Sequence, residues 1–298
     1  KQQQVVVQFS QEIQSTVMEY EQGNVDYVTL TGEMVDMYKD EPGFTNIKQA
    51  SVWYLCYNMD DENMSNENLR RAIGYSIDRD SIVNDVLKTG STAIDGLVGA
   101  DVVQNSEGKD FRDMAGGYAG YDPDKAAEYY KKAVAELGKD PTVEILYDNA
   151  SDSTKMAENM QQMIQNACEG ITVTLSPEPK KTRIQMMFAQ NFSIGLTRWG
   201  PDYADPTTYL NLALTDNSNN YGKYANAKFD ALMEQIQKES DLTKRWDLMI
   251  QAEKVMMEDM AYIPVFEKGS AALKAKNVKG LVVVPVGTPY TFKYVKLK

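Results

Sequence analysis

Residues 142–176, TVEILYDNASDSTKMAENMQQMIQNACEGITVTLS, decide the fold class of this chain. The segment begins with TVEILYD, whose β-branched and aromatic side chains favour a strand, and it ends with a second such stretch, GITVTLS. Between them, residues 153–168 carry apolar side chains at helical spacing, which predicts an amphipathic helix. These side chains are Met156, Met160, Met163, Ile164 and Ala167. This succession predicts two parallel strands joined by a right-handed crossover.

The rest of the chain also mixes helices with strands. Residues 4–10, 25–30 and 47–60 predict strands, and residues 11–23 and 33–39 predict helices, so the first sixty residues read β-α-β-α-β. Further helices are expected at 65–90, 121–140, 225–240 and 241–260, with a break between the last two near Ser240. A loop is expected at about 91–120, and strands from 262 to the end. Side-chain caps are predicted at Asn66 or Ser65, and at Asp78, Asp122 and Asp241. The mixture indicates an α/β architecture.

Composition excludes several classes of function. The chain has 298 residues, and 31 basic against 43 acidic side chains give a net charge of −12, which disfavours nucleic acid as a partner. No window reaches the roughly 18 consecutive apolar residues that a membrane-spanning helix needs. The chain has no histidine, so it lacks the commonest general base and the imidazole ligands of most zinc and copper sites. No metal and no cofactor are expected.

The chain begins abruptly at Lys1, with neither an initiator methionine nor a signal peptide, so we expect it to be part of a longer protein.

Five segments in order resemble one known family. They are LRRAIGYSIDRDSIVNDVL (69–87), YDPDKAAEYYKKA (121–133), EILYDNASDSTKMAENMQQMIQNACEGITVTL (144–175), RWGPDYADPTTYLNLALTDNSNNYGKYANAKFDALMEQI (198–236) and RWDLMIQAEKVMMEDMAYIPVF (245–266). This series looks like the C-terminal half of a family 5 extracellular solute-binding protein, the oligopeptide- and dipeptide-binding receptors of bacterial ABC importers. Each segment alone is a weak signal, whereas their order and spacing together are specific.

The resemblance implies a periplasmic-binding-protein-like fold (type II, cluster C) with two lobes that close on the ligand. Residues 1–57 and 269–298 would be remnants of the sheet of lobe I, and residues 58–268 would form a continuous lobe II. The hinge crossings would lie at Tyr57 and Asn58 and at Glu267 and Lys268. The missing N-terminal part of the chain would complete lobe I.

The segment RWGPDYADPTTYL (198–210) carries the expected binding site. In oligopeptide receptors, the matching W-x-x-D-Y pattern supplies the carboxylate that receives the α-ammonium group of the peptide, and this position is Asp202 here. Trp199 and Tyr203 would form walls of the site. Asp205 is expected to cap a helix that begins at Pro206. An ordinary turn-stabilising role is the structural alternative for Asp202.

This chain departs from the best-understood oligopeptide receptors at two positions. Pro179 and Leu196 fall where those receptors have a Trp and an Arg that serve long peptides and their carboxyl ends. Arg183 and Arg198 are candidates to replace them, and Tyr221, in a polar loop, is a candidate rim contact.

The family resemblance implies a non-enzymatic role. The expected protein is a monomeric peptide-binding component that delivers its ligand to a membrane permease. Its expected location is extracellular, as a bacterial membrane-anchored lipoprotein, or periplasmic. A family relative that binds an oligosaccharide or another solute is the first alternative. A glycosidase using Asp202 and Asp205, or a methionine-rich interaction module, remains as a weaker one.

Overall fold

The fold is that of a computed structural model of the chain, which describes residues 4–10, 13–118, 120–287 and 289–298. The strand, helix and strand predicted for residues 142–176 are present. The α-helices are α1 (Ile13–Glu21), α2 (Glu33–Tyr38), α3 (Glu67–Ser76), α4 (Arg79–Ser81), α5 (Phe111–Ala115), α6 (Pro123–Leu137), α7 (Ser151–Ala167), α8 (Lys180–Phe188), α9 (Thr207–Leu210), α10 (Ala227–Lys238) and α11 (Leu242–Glu258). The strands are β1 (Tyr27–Leu30), β2 (Phe44–Tyr57), β3 (Thr92–Ala93), β4 (Thr142–Asp148), β5 (Thr172–Glu178), β6 (Ile194–Trp199), β7 (Tyr262–Lys274), β8 (Val278–Lys279), β9 (Val282–Val283), β10 (Tyr290–Thr291) and β11 (Lys296–Leu297). A π-helical turn (Ile82–Leu87) follows α4, and a 3-10 turn (Asn211–Ala213) follows α9.

Helix capping follows the sequence closely. Each of the four predicted caps accepts a hydrogen bond from a backbone N–H in the first turn of its helix, which satisfies one of the donors that a helix start leaves without a partner. The caps are Asn66, Asp78, Asp122 and Asp241. The predictions at Asp78, Asp122 and Asp241 are confirmed, and of the two candidates before α3 the cap is Asn66 and not Ser65.

The main sheet of the described residues has seven strands in the order β1-β7-β2-β6-β4-β5, with β3 paired to β7. β4 runs parallel to β5 and to β6, which confirms the predicted parallel pair. β2 lies between β6 and β7 and runs antiparallel to both. The parallel strands β4, β5 and β6 therefore end at one edge, at Asp148, Glu178 and Trp199, which we call the carboxyl edge.

Apolar side chains cover both faces of this sheet. Helices α3, α6 and α7 bury one face, with Met156 and Met160 among the residues of that core. Helices α10 and α11 bury the other face, with Phe229 and Met256 in a second core. Along β2 successive side chains alternate between the two cores, as expected for a central strand.

A third, smaller core lies apart from these two. It joins α1, β1 and α2 to the last part of β7. Its buried residues are Val17, Val28, Leu30, Val35, Ala271 and Leu273. Strands β2 and β7 are therefore shared by two separately packed regions.

Two predictions about secondary structure are wrong. Residues 4–10 form no regular secondary structure, and their apolar side chains are exposed, with Phe9 at 96%. A strand needs a hydrogen-bonded neighbour, and these residues do not join the sheet, so the β-α-β-α-β reading of the first sixty residues loses its first strand. The expected loop at 91–120 contains a short strand, β3, and a short helix, α5. Residues 11 and 12 of the first predicted helix lie outside the described residues.

No helix in the described part of the chain has the length and apolar character that a membrane crossing requires.

Candidate functional site

The turn that follows β6 presents a carboxylate at the carboxyl edge. Two donors converge on the hydroxyl oxygen Oγ1 of Thr208: the indole Nε1 of Trp199 at 3.4 Å and the backbone N–H of Asp202 at 3.3 Å. Pro201 is buried within the turn. These contacts hold the turn against the start of α9. Thr208 is a site residue that sequence reasoning missed, because no local pattern links it to Trp199.

The side chain of Asp202 points into solvent. The residue is exposed, and its carboxylate accepts no hydrogen bond and forms no ion pair with any residue that the structure describes. A turn-stabilising aspartate would instead accept a bond from a neighbouring backbone N–H. The geometry therefore leaves this carboxylate available to a cation from outside the described chain.

Asp205, three residues later, has a structural environment. Its carboxylate accepts hydrogen bonds from the guanidinium of Arg245 at 2.8 and 3.1 Å and from the backbone N–H and hydroxyl of Thr207 at 3.0 and 2.6 Å. Burial alone would raise the pKa of Asp205, but the bonds from Arg245 and Thr207 hold this pKa below its ordinary value. The prediction that Asp205 caps a helix beginning at Pro206 is wrong by one residue, because α9 begins at Thr207 and Pro206 holds the cap position. Asp205 lies just before the cap, where it still accepts the bond from the N–H of Thr207.

Tyr203 lies beside a surface cleft of about 310 Å³ and not inside the turn. The residue is 45% exposed, and its hydroxyl lies 3.3 Å from Thr207 Oγ1 and accepts a 3.3 Å bond from Asn211. The cleft is lined by Thr207, Asn211, Met233, Ile236, Gln237, Glu239 and Arg245 as well. Tyr203 therefore forms part of the wall of this cleft, which lies next to α10 and α11.

Arg198 lies at the carboxyl edge on the opposite face of the sheet from Thr208. It is paired in register with Trp53 of β2, and its guanidinium carbon lies 5.8 Å from the centre of the Trp53 ring. That ring in turn stacks on Phe266 of β7, with centroids 5.8 Å apart. Arg198 is exposed and supported by an aromatic wall.

Arg183 lies in the interior. It is 2% exposed, and its guanidinium donates to Asp148 Oδ1 at 3.0 Å and to Thr197 Oγ1 at 2.6 Å. A guanidinium already bonded to a carboxylate and buried in the second core has a packing role in this arrangement. The structure does not bring it to the surface beside Asp202.

Tyr221 is also away from the carboxyl edge. Its ring packs edge-on against Phe188 with centroids 4.9 Å apart, and its carbonyl accepts a 2.6 Å bond from Gln190. The adjacent Gly222 carbonyl accepts from Met59, just beyond the end of β2. That end of β2 pairs with the start of β6, so Tyr221 lies near the opposite edge of the sheet.

The predicted hinge residues lie near opposite edges of the sheet. Tyr57 is paired with Ile194 at the start of β6, and Asn58 donates to the carbonyl of Phe192 at 2.9 Å. Glu267, in contrast, is paired with Val52, next to the carboxyl edge. Its carboxylate accepts a 3.0 Å bond from the backbone N–H of Ala100.

No group of three or more cysteine, aspartate or glutamate side chains within the described ranges is arranged to hold a metal ion.

Comparisons with known proteins agree with this architecture. Residues 1–221 match the family described as bacterial extracellular solute-binding proteins, family 5 Middle. The dipeptide-binding protein DppE of Bacillus subtilis is 30% identical over 270 residues, which cover 90% of this chain and 49% of DppE.

Two solved structures are similar over almost the whole chain. The substrate-binding domain of an oligopeptide ABC transporter from Bacillus anthracis has a TM-score of 0.87 at 29% identity, over 97% of this chain and 57% of that one. Listeria monocytogenes OppA bound to peptide has a TM-score of 0.85 at 30% identity, over the same shares of 97% and 57%. The chain spans about half the length of these relatives. The mixed α/β fold is thus that of part of a periplasmic peptide-binding protein, and the chain belongs to the family 5 bacterial extracellular solute-binding proteins.

Proposed function

We propose that the protein containing this chain is the peptide-binding component of an ABC importer and that Asp202 receives the α-ammonium group of the peptide. The observation that carries the proposal is the Asp202 carboxylate, which is exposed, has no partner among the described residues, and stands on a turn held by Thr208. Family membership supports the same function, since similar proteins are named as dipeptide- and oligopeptide-binding proteins.

The chemistry of a free peptide explains why such a carboxylate is needed. Enclosing an ammonium group between two lobes removes it from water, and this costs several kcal/mol unless an opposite charge and hydrogen-bond acceptors replace the water. A short aspartate side chain on a pinned turn loses little conformational entropy when it binds. Trp199, fixed by its indole bond to Thr208, would form the adjacent wall.

Lobe closure would bend the shared strands β2 and β7. Their pairing passes from Lys48 with Gly269 to Val52 with Glu267, so residues 49–51 lie opposite Lys268 alone, and the ladder is irregular there. The small third core lies on one side of this irregularity and the two large cores lie on the other. We therefore place the hinge at 48–52 and 267–269, which moves the β2 crossing away from the predicted Tyr57.

In this proposal, residues 52–268 form lobe II, and the remaining residues belong to lobe I together with the part of the protein outside this chain. The closed protein would deliver its ligand to a membrane permease. The family description supports an extracellular or periplasmic site of action. We further propose that the protein is a monomer and that a lipid anchor attaches it to the membrane.

The glycosidase alternative loses support at Asp205. A general acid must release a proton, whereas the bonds from Arg245 and Thr207 lower the pKa of this carboxyl and keep it ionised. Binding of an oligosaccharide would not use the unpaired charge of Asp202, because a neutral sugar brings no cation. The unpaired carboxylate therefore favours a peptide.

Calorimetric titration of the full-length protein tests the proposal. Alanine peptides of two to five residues, each with a free or an acetylated amino terminus, would be titrated into the wild type, Asp202→Asn and the control Asp216→Asn. Asp216 is another exposed carboxylate, in the loop after α9. We expect Asp202→Asn to weaken the free-amine peptides by at least about tenfold, since truncating one partner of a buried charge pair costs 2 kcal/mol or more. Acetylated peptides should bind weakly to all three proteins.

Unchanged affinity and unchanged preference for the free amine in Asp202→Asn would contradict the role of Asp202. No binding of any peptide to the wild type would contradict peptide capture itself.

A further inference from the structure

One buried side chain connects the Asp202 turn with the irregular stretch of β2. Tyr209 lies on α9 directly after Thr208, whose hydroxyl oxygen accepts a bond from the backbone N–H of Asp202. Tyr209 is fully buried, and its hydroxyl donates a hydrogen bond to the backbone carbonyl of Ala50. Ala50 is the middle residue of the stretch 49–51, where the register between β2 and β7 is interrupted. Two consecutive residues of α9 therefore contact the ligand turn and the proposed hinge.

The second hinge strand reaches the same place. Glu267 of β7 is buried, and its carboxylate accepts a 3.0 Å bond from the backbone N–H of Ala100. A side chain at Gly99 would lie 3.1 Å from the Tyr209 hydroxyl and 3.3 Å from Glu267 Oε1, so both groups lie against the backbone of this glycine. Burial and the nearby charge of Glu267 raise the pKa of Tyr209. The hydroxyl therefore stays protonated and remains a donor to Ala50.

The bond to Ala50 links the position of α9 to the shape of the hinge. Regular pairing with β7 does not fix Ala50, and the hydroxyl of Tyr209 holds this buried residue to α9. A buried backbone carbonyl that loses its donor costs free energy, so bending of β2 at this stretch must be compatible with the position of α9. Hydrogen bonds and packed side chains of this kind carry energetic coupling between separate sites.

We propose that Tyr209 is a positioning residue that couples capture of the ligand at the Asp202 turn to closure of the lobes. This inference rests on the proposed function. A ligand that fixes the turn also fixes α9, and the hydroxyl bond passes this restriction to the hinge stretch of β2. Tyr209 itself does not touch the ligand.

The test removes one hydroxyl group at a time. Tyr209→Phe keeps the buried ring and loses only the bond to Ala50. Tyr262→Phe is the matched control, because Tyr262 is equally buried and its hydroxyl donates to the backbone carbonyl of Leu212 at 2.8 Å, while its place at the start of β7 is distant from the hinge. Both variants, Asp202→Asn and the double variant Tyr209→Phe/Asp202→Asn would be titrated as full-length proteins with trialanine. Thermal unfolding without ligand would be measured for each.

We expect Tyr209→Phe to weaken trialanine binding about three- to tenfold, the value of a typical buried hydrogen bond, and Tyr262→Phe to weaken it less than about twofold. In the Asp202→Asn background, Tyr209→Phe should lose most of its effect, because the hydroxyl acts through the turn that positions this carboxylate. Both phenylalanine variants should lower the unfolding temperature by similar amounts, which separates a loss of stability from a loss of coupling.

Lobe closure itself would be followed by the distance between spin labels attached at Met37→Cys, beside the small third core, and at Lys228→Cys on α10. Both positions are exposed, whereas the native Cys56 and Cys168 are buried. We expect saturating trialanine to shift this distance completely in the labelled wild type and in the control variant. The variant that lacks the Tyr209 hydroxyl should retain part of the ligand-free distance population.

Three results would overturn the inference. The first is an equal loss of affinity in Tyr209→Phe and Tyr262→Phe. The second is the same loss from Tyr209→Phe with and without the Asp202 carboxylate, which would mean that the hydroxyl does not act through the turn. The third is a distance distribution at saturating trialanine that is identical in the wild type and in Tyr209→Phe. Each of these would leave peptide capture at Asp202 intact, whereas a failure of every peptide to bind the wild type would reject the proposed function together with this inference.

Discussion

Asp202 and Asp205 have the same chemistry and lie three residues apart, yet the structure gives them opposite environments. Asp205 is about a quarter exposed and bonded to Arg245, which lies 40 residues further along the chain. Asp202 is exposed and has no partner among the described residues. At the residue scale, therefore, one carboxylate stabilises the turn, and the other is the one that we propose as the ligand contact.

Stability measurements should separate the two aspartates. We expect Asp205→Asn to lower the free energy of unfolding by about 1–2 kcal/mol, because it removes a charge-assisted pair with Arg245. We expect Asp202→Asn to change it by less than about 0.5 kcal/mol, as for other surface substitutions. Urea denaturation of the ligand-free protein measures both values. Equal effects of the two substitutions would contradict the assignment of roles.

The contribution of Asp205 should also depend on pH. Its pKa in the folded protein is lowered below its ordinary value, so the stabilisation is complete above the unfolded pKa and is lost as pH falls through the folded pKa. The difference in unfolding free energy between the wild type and Asp205→Asn should therefore be constant from pH 8 to about 5 and should shrink below about 4. Urea denaturation at several pH values provides the measurement. A difference that grows towards low pH would contradict the lowered pKa.

At the scale of elements, β7 is the strand that connects the three cores. It pairs with β1, β2 and β3 and contributes residues to all three cores. Its Gly269 lies against the backbone of Gly90, in the turn that leads into β3. A side chain at 269 would overlap the carbonyl oxygen of Gly90, so the close approach of these two segments requires glycine.

We expect Gly269→Ala to lower the free energy of unfolding by about 1–3 kcal/mol, since backbone atoms must move to admit the methyl group. Gly120→Ala is a matched control, because a methyl group at 120 would meet no atom within 4 Å. Chemical denaturation measures the two variants under the same conditions. A loss in Gly269→Ala no larger than in the control would show that the β7 segment can shift freely away from the turn.

At the scale of the whole molecule, β2 belongs to two regions. Its residues 52–57 lie between β6 and β7 and supply side chains to both large cores. Its first residue, Phe44, packs against the small third core. A boundary at residue 57 would remove the central strand of the larger region.

Fragments should distinguish the two boundaries. We expect a fragment of residues 50–268 to unfold cooperatively on heating, because both large cores keep their central strand. A fragment of residues 58–268 should lack a cooperative transition, since the facing edges of β6 and β7 would both lose their partner. Circular dichroism during heating measures this, and a cooperative transition in the shorter fragment would restore the boundary at residue 57.

Local interactions explain how much of this protein could be predicted. The caps at Asn66, Asp78, Asp122 and Asp241 and the α7 helix between β4 and β5 depend on residues within a few positions of one another. Such features need no knowledge of distant partners. The position of Asp202 as the candidate ligand carboxylate also came from a local pattern, through the resemblance to a family.

The failures share a different origin. Residues 4–10 have the composition of a strand but do not pair with the sheet, and composition cannot reveal a missing neighbour. Arg183 has the charge of a ligand group, yet its partner Asp148, which lies 35 residues away in sequence, holds it in the interior. Burial of that kind follows from how sheet and helices pack, which a sequence pattern does not encode.

The sequence by itself determined the longer helices, the parallel β-α-β unit and the family, because each follows from periodicity, capping and motif order along the chain. Only the tertiary structure decided which side chains share the carboxyl edge. Trp53, Arg198 and Phe266 come from three strands far apart in sequence, and strand register alone brings them together. That register is selected by the simultaneous burial of two cores on opposite faces of one sheet, a property that no single segment possesses.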